Sequence, residues 1–119
     1  MEKITMRNII IIEPWADSRS CDVRPYRSGD ESRIASGAVS TRELPLDGAW
    51  SLVPEYEWGM QTTVCYARFI AGEERVQVVK AHGLNEALDL DEHGNLWYSL
   101  YNEVEGAWVN EIVGLRWGD

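Results

Sequence analysis

Lysine, cysteine and phenylalanine are scarce in this chain: of 119 residues only Lys3 and Lys80 are lysine, Cys21 and Cys65 are cysteine, and Phe69 is the one phenylalanine. Two cysteines this far apart in sequence define no disulfide framework, and they read as free thiols of a reducing compartment. With His82 and His93 they show none of the close spacings that structural zinc sites use. No long apolar run is present either. Ile9 to Ile12 is the most compact one, and it falls far short of the roughly 20 residues a membrane-crossing helix requires. The catalytic signatures are missing as well. There is no Gly-x-Ser-x-Gly elbow, no glycine-rich phosphate loop ending in Lys, no His-Glu-x-x-His and no Cys-x-x-Cys.

The scarcest feature of all is positive charge in the second half. Twenty acidic side chains stand against 11 basic ones, a formal net charge of −9. Residues 1–48 hold seven bases and eight acids, whereas residues 49–119 hold four bases and twelve acids. Between Lys80 and Arg116 there is no Lys or Arg, while Glu86, Asp89, Asp91, Glu92, Glu103, Glu105 and Glu111 all fall in that span. Phosphate backbones and anionic lipid surfaces would repel such a chain at long range, so direct nucleic-acid binding and membrane adhesion are excluded. A basic protein or protein complex is the favoured partner.

The length fits one domain, residues 1–119, with a core large enough to need no metal or disulfide staple. Ile4 to Glu13 reads as a buried strand stopped by Pro14. The span 15–48 is rich in Ser, Gly, Asp and Arg and keeps neither strand nor helix period, so residues 1–48 read as a strand followed by a long ordered loop. Within it Asp30 to Ser36 can form a short helix, with Ser28 as cap and Gly37 as its end. Residues 49–119 read as an acidic antiparallel meander. Gln61 to Ala71 alternates with apolar groups on both faces, the mark of a central strand, and Gly72-Glu73-Glu74 joins it to Arg75–Ala81 as a hairpin. Leu84 to Asp91 fits a strand or a turn or two of helix. Asp91 to Asn95 is a turn, and Leu96–Val104 with Ala107–Trp117 flank Glu105-Gly106 as a second hairpin. The expected fold is α+β or mainly β, one meander sheet of about four to six strands.

Several local patterns resemble known ones without completing them. Asp91-x-x-Gly94-Asn95-Leu96-Trp97 resembles turns in β-propeller blades, but the chain is too short to close a propeller. Asp89 to Leu96 resembles the start of an EF-hand calcium loop, yet position twelve is Leu100 where a bidentate Glu is required. No metal and no cofactor is expected. Arg19, Arg24, Arg27, Arg33 and Arg42 lie among Asp17, Asp22, Asp30 and Glu31, and guanidinium groups would pin this loop to the acidic sheet.

Six tryptophans and five tyrosines supply the apolar surface. Most read as core. Trp97 and Tyr101 share a strand face with Ser99 and Glu103, which marks that face as the exposed one, whereas Tyr56-Glu57-Trp58-Gly59 reads as a loop anchor. An exposed aromatic pair rimmed by carboxylates suits an interface hot spot. The functional expectation is therefore a cytoplasmic, non-enzymatic inhibitor or adaptor that occludes a basic surface of its partner and imitates nucleic-acid phosphates by charge. By class, anti-CRISPR, anti-restriction and immunity proteins work this way. Asp91, Glu92, Glu103, Glu105 and Glu111 would supply charge, and Trp97 and Tyr101 the apolar anchor. The alternative is a small-ligand or carbohydrate module that stacks its ligand on exposed Trp and Tyr.

Overall fold

The computed structural model describes residues 8–14, 16, 21–53 and 63–114. Trp15, Asp17, Arg19, Trp58 and Trp117, the Tyr56–Gly59 anchor, and the start of the isoleucine strand before Asn8 lie outside the described residues. Strand β1, Ile9–Pro14, ends on its proline as expected and sits between β2, Cys21–Pro25, and β3, Ser40–Glu43, both antiparallel to it. Ile12 is opposite Val23 on one side and Ser40 on the other.

That pairing corrects the expectation of a long loop after the first strand. A buried isoleucine strand cannot leave either row of N–H and C=O groups unpaired. The neighbouring strands supply partners although they carry little strand signal. β3 reads Ser-Thr-Arg-Glu and is exposed throughout, so tertiary demand rather than propensity fixes it. Helix α1, Glu31–Ala35, lies where the sequence places it, with Gly37 beyond its end at φ 81°. Its N-cap position is Asp30 rather than Ser28, and the Asp30 carboxylate caps nothing. It accepts instead from the Arg27 backbone N–H at 2.9 Å and from both terminal nitrogens of Arg24 at 2.8 and 2.9 Å.

The second sheet orders β4, Ser51–Val53, then β5, Thr63–Ile70, then β6, Arg75–His82. The third orders β7, Glu86–Leu90, then β8, Leu96–Asn102, then β9, Ala107–Ile112. The fold is mainly β with little helix. Among the described residues it is built from three antiparallel three-stranded sheets, not one meander of four to six strands. The break falls at Gly83, whose φ of 75° turns the chain after β6, so β7 packs on the second sheet instead of pairing with it.

Alternation explains the layering. On β5, Cys65, Ala67 and Phe69 share a face with Val76 and Val78 of β6 and close a core with Ile10, Val23, Leu44 and Val53. The opposite face, Val64 and Tyr66 with Val79 and Ala81, closes a second core with Leu88, Leu96 and Val113. The apolar groups on both faces of β5 thus mark a central layer as well as a central strand. Each fully buried aliphatic side chain in these cores contributes about 1.5–3 kcal/mol. Cys21 and Cys65 are both buried. The radius of gyration is 15.8 Å and the extents are 57 × 37 × 23 Å, an elongated shape for this length. A compact domain of this size would have about 13.5 Å.

Candidate functional site

The third sheet differs from the other two in having almost no interior. From Trp97 to Ile112 no residue is buried, and Val104 at the tip is 96% exposed. Buried Leu96 and Val113 hold the base of the arm, with the Val113 N–H donating to the Leu96 carbonyl at 2.7 Å. Gln77 of β6 strengthens this tether. Its amide donates to the Gly114 carbonyl at 3.1 Å while its oxygen accepts Arg68 Nε at 3.0 Å. Burial lowers the pKa of Arg68, whose guanidinium stacks on Trp50 with 4.3 Å to the ring centre.

Both turns of the arm are held by side chains. Asp91 Oδ1 accepts the N–H groups of His93 and Asn95 at 2.8 and 2.9 Å, and its other oxygen accepts Trp97 Nε1 at 3.0 Å. These donors, the Trp97 indole first, draw the Asp91 carboxyl down to about 2. At the far turn Asn102 Oδ1 accepts from Val104 and Glu105 at 3.0 and 3.1 Å, and Gly106 supplies φ 66°. The tip therefore presents Glu103, Val104 and Glu105 on an ordered turn.

Register assigns the two faces. One carries Trp97, Ser99 and Tyr101 of β8 opposite Ile112, Asn110 and Trp108 of β9. Tyr101 and Trp108 meet edge to face at 5.4 Å and 65°, and Ser99 Oγ donates to Asn110 Oδ1 at 2.6 Å. Trp97 is 37% exposed and Trp108 47%. The other face carries Glu86, Tyr98, Leu100, Val109 and Glu111. Leu100 and Val109, 45% and 47% exposed, line an open groove of about 670 Å³ with Tyr98, Tyr101, Asn102, Glu103 and Glu111. Burial, then the Glu86 carboxylate that accepts its hydroxyl, raise the pKa of Tyr98, and the Glu111 charge adds to this.

The sequence-derived residues are thus divided. Trp97 and Tyr101 share a face, and Trp108 joins them. Glu103 and Glu111 line the same groove at opposite ends, Glu111 opposite Tyr98 and Glu103 beyond Asn102. Asp91 and Glu92 lie at the β7–β8 turn, whereas Glu103 and Glu105 lie at the opposite end of β8, a strand of seven residues spanning about 23 Å. Glu111 is on the face away from Trp97. Leu100, Val109 and Tyr98 were not singled out from sequence, although counting alternate positions outward from the Glu105-Gly106 turn places all three beside Glu111.

The described arginines do not neutralise this arm. Arg24 pairs with Asp30 and Glu13, Arg33 pairs with Glu13, and Arg42 donates to the Leu52 carbonyl at 2.8 Å. The expectation that they pin the loop to the acidic meander is met by Arg42, which reaches Leu52 of the second sheet, whereas Arg24 and Arg33 pair with Asp30 and Glu13 instead. Among the described residues no arginine pairs with Asp89, Asp91, Glu103, Glu105 or Glu111, and no group of three His, Cys, Asp or Glu side chains is placed to hold a metal. No helix among them is long and apolar enough to cross a membrane. The chain matches no protein-family model, no curated protein and no solved structure.

Proposed function

We propose that this protein is an acidic protein-binding inhibitor or adaptor that docks its third sheet on a basic surface of a partner, such as a nucleic-acid-binding groove, and acts by occlusion rather than catalysis. One observation carries the reading. An arm with no buried residue from Trp97 to Ile112 combines exposed Leu100, Val109 and Trp108 with carboxylates that, among the described residues, no arginine meets. Exposed apolar area of this kind gains free energy only when something covers it, and the surrounding negative charge selects a cationic cover. Two buried thiols agree with a cytoplasmic setting.

The test is capture of a partner from the source cell at low and at high salt, with the partner identified and its complex reconstituted. A basic partner should be released by salt and lost by the Glu103→Lys, Glu111→Lys double variant. Retention that is indifferent to both would overturn the reading. A second reading, a carbohydrate or small-ligand module, is favoured by one feature: a hollow of about 210 Å³ where Trp97 stands beside Asp89, Ser99 and Asn110. Ring stacking of this kind would resist salt and fail in Trp97→Ala.

A further inference from the structure

Among the described residues no strand pairs with the outer edge of β9, and that edge says how a partner would be held. The Val113 N–H points inward to Leu96, and Gly106 N–H donates to the Asn102 carbonyl at 2.8 Å at the other end of the ladder. In an antiparallel pair inward and outward groups alternate. Ala107, Val109 and Glu111 therefore bond β8, while Trp108, Asn110 and Ile112 direct their N–H and C=O groups away from the sheet. All six residues of β9 are exposed. Such an edge is a template for another strand unless it is short, charged or covered. The exposed edge strand β3 is short and polar, with four residues reading Ser-Thr-Arg-Glu. β9 is longer, carries Trp108, Val109 and Ile112, and has Glu111 as its one charged residue.

We infer that the outer edge of β9 accepts an extended segment of a basic protein as a fourth strand, its lysine or arginine side chains alternating with apolar ones. The inference rests on the docking reading above and adds its geometry. A second copy of this chain is disfavoured as the occupant, because a net charge of −9 on each copy would oppose it. A basic segment meets complementary surroundings on both sides. Its cationic side chains fall on the face of Glu111, Glu103 and the groove, and its apolar ones fall beside Trp108 and Ile112. Backbone hydrogen bonds would hold it, and the alternation would set its register.

The probe is a synthetic peptide of alternating Lys and Val, compared by calorimetry with the same peptide N-methylated at alternate residues. The methylated peptide keeps charge and side chains but cannot pair along a strand. Asn110→Pro removes the outward N–H and leaves the ladder to β8 in place, while Asn110→Ala controls for the Ser99 bond. Binding should fall about tenfold or more for Asn110→Pro and for the methylated peptide, and stay within about twofold for Asn110→Ala. Failure of the alternating peptide to bind, or equal binding of both peptides, overturns strand addition, and the peptide comparison stands even where Asn110→Pro does not fold. If equal binding is still lost in Glu111→Lys and at high salt, the docking reading survives alone. Binding that neither change affects removes both.

Discussion

The first and third sheets are matched in size and opposite in bookkeeping of charge. Each has three antiparallel strands. In the first, two acids, Glu13 and Asp30, have guanidinium partners: Arg24 spans both, and Arg33 reaches Glu13 as well. Its isoleucines face inward. In the third, the span between Lys80 and Arg116 has no Arg or Lys, and Leu100, Val109, Trp108 and Ile112 face outward. One sheet satisfies its polar groups internally, and the other leaves both charge and apolar area open. That difference separates a structural element from a surface available to a partner.

The largest expected effect tests where the apolar stabilisation resides. Ile10→Ala empties a fully buried position of the first core and should cost about 2–5 kcal/mol in urea unfolding. Leu100→Ala trims a side chain 45% exposed and should stay within about 0.5 kcal/mol. Comparable losses would show that the arm has an interior of its own, and the contrast between the sheets would fail.

A smaller effect concerns the ion pairs. Hydrogen bonds from Arg24 and then from the Arg27 backbone hold the Asp30 carboxyl below the usual carboxylate range, and Arg33 does the same for Glu13. A carboxyl whose folded pKa is depressed binds its proton more readily in the unfolded chain. Its contribution is complete above the unfolded value of about 4 and disappears as pH falls through the folded one. Stability should therefore decline progressively below pH about 4. Arg24→Ala should lower Tm by roughly 10 °C at neutral pH and flatten this acid limb. An unchanged limb in the variant would mean that other carboxylates carry it.

How much of this was legible depends on whether a residue's neighbours are local. The β5–β6 and β8–β9 hairpins follow from period-two alternation around Gly72–Glu74 and Glu105-Gly106, and local turn chemistry is enough to define them. β2 and β3 were not legible, because Ser40 to Glu43 become a strand only by pairing with an isoleucine strand about thirty residues away in sequence. The common face of Trp97 and Tyr101 could be read from parity. The separation of Asp91 and Glu92 from Glu103 and Glu105 needed strand length as well, since residues adjacent in composition come to lie at opposite ends of β8. The fate of the arginines could not be read, because composition shows that Arg24 has acids nearby but not that Asp30 and Glu13 converge on it.

The smallest effect bears most directly on why the arm is acidic. Glu103 and Glu105 project from the same ordered tip, and Glu111 shares the groove with Glu103. Like charges on one short turn, as Glu103 and Glu105 are, repel, and exposed side chains feel that repulsion weakly. If the arm carries them as a cost tolerated for a cationic partner, reversing one should relieve it. Glu103→Lys should raise Tm by about 1–2 °C at low ionic strength, and the gain should vanish in high salt as the charges are screened. Glu13→Gln in the first sheet should act in the opposite direction, because it removes the negative charge facing Arg33 and Arg24 and turns one of the two acceptor oxygens into a donor amide. Scanning calorimetry of both variants at two salt concentrations reads the signs. Opposite signs mean that one sheet uses its acids for folding while the other holds them against folding, which a fold alone has no reason to do. Equal signs would make the arm's charge part of ordinary structural pairing, and its claim on a basic partner would then rest on the apolar residues only.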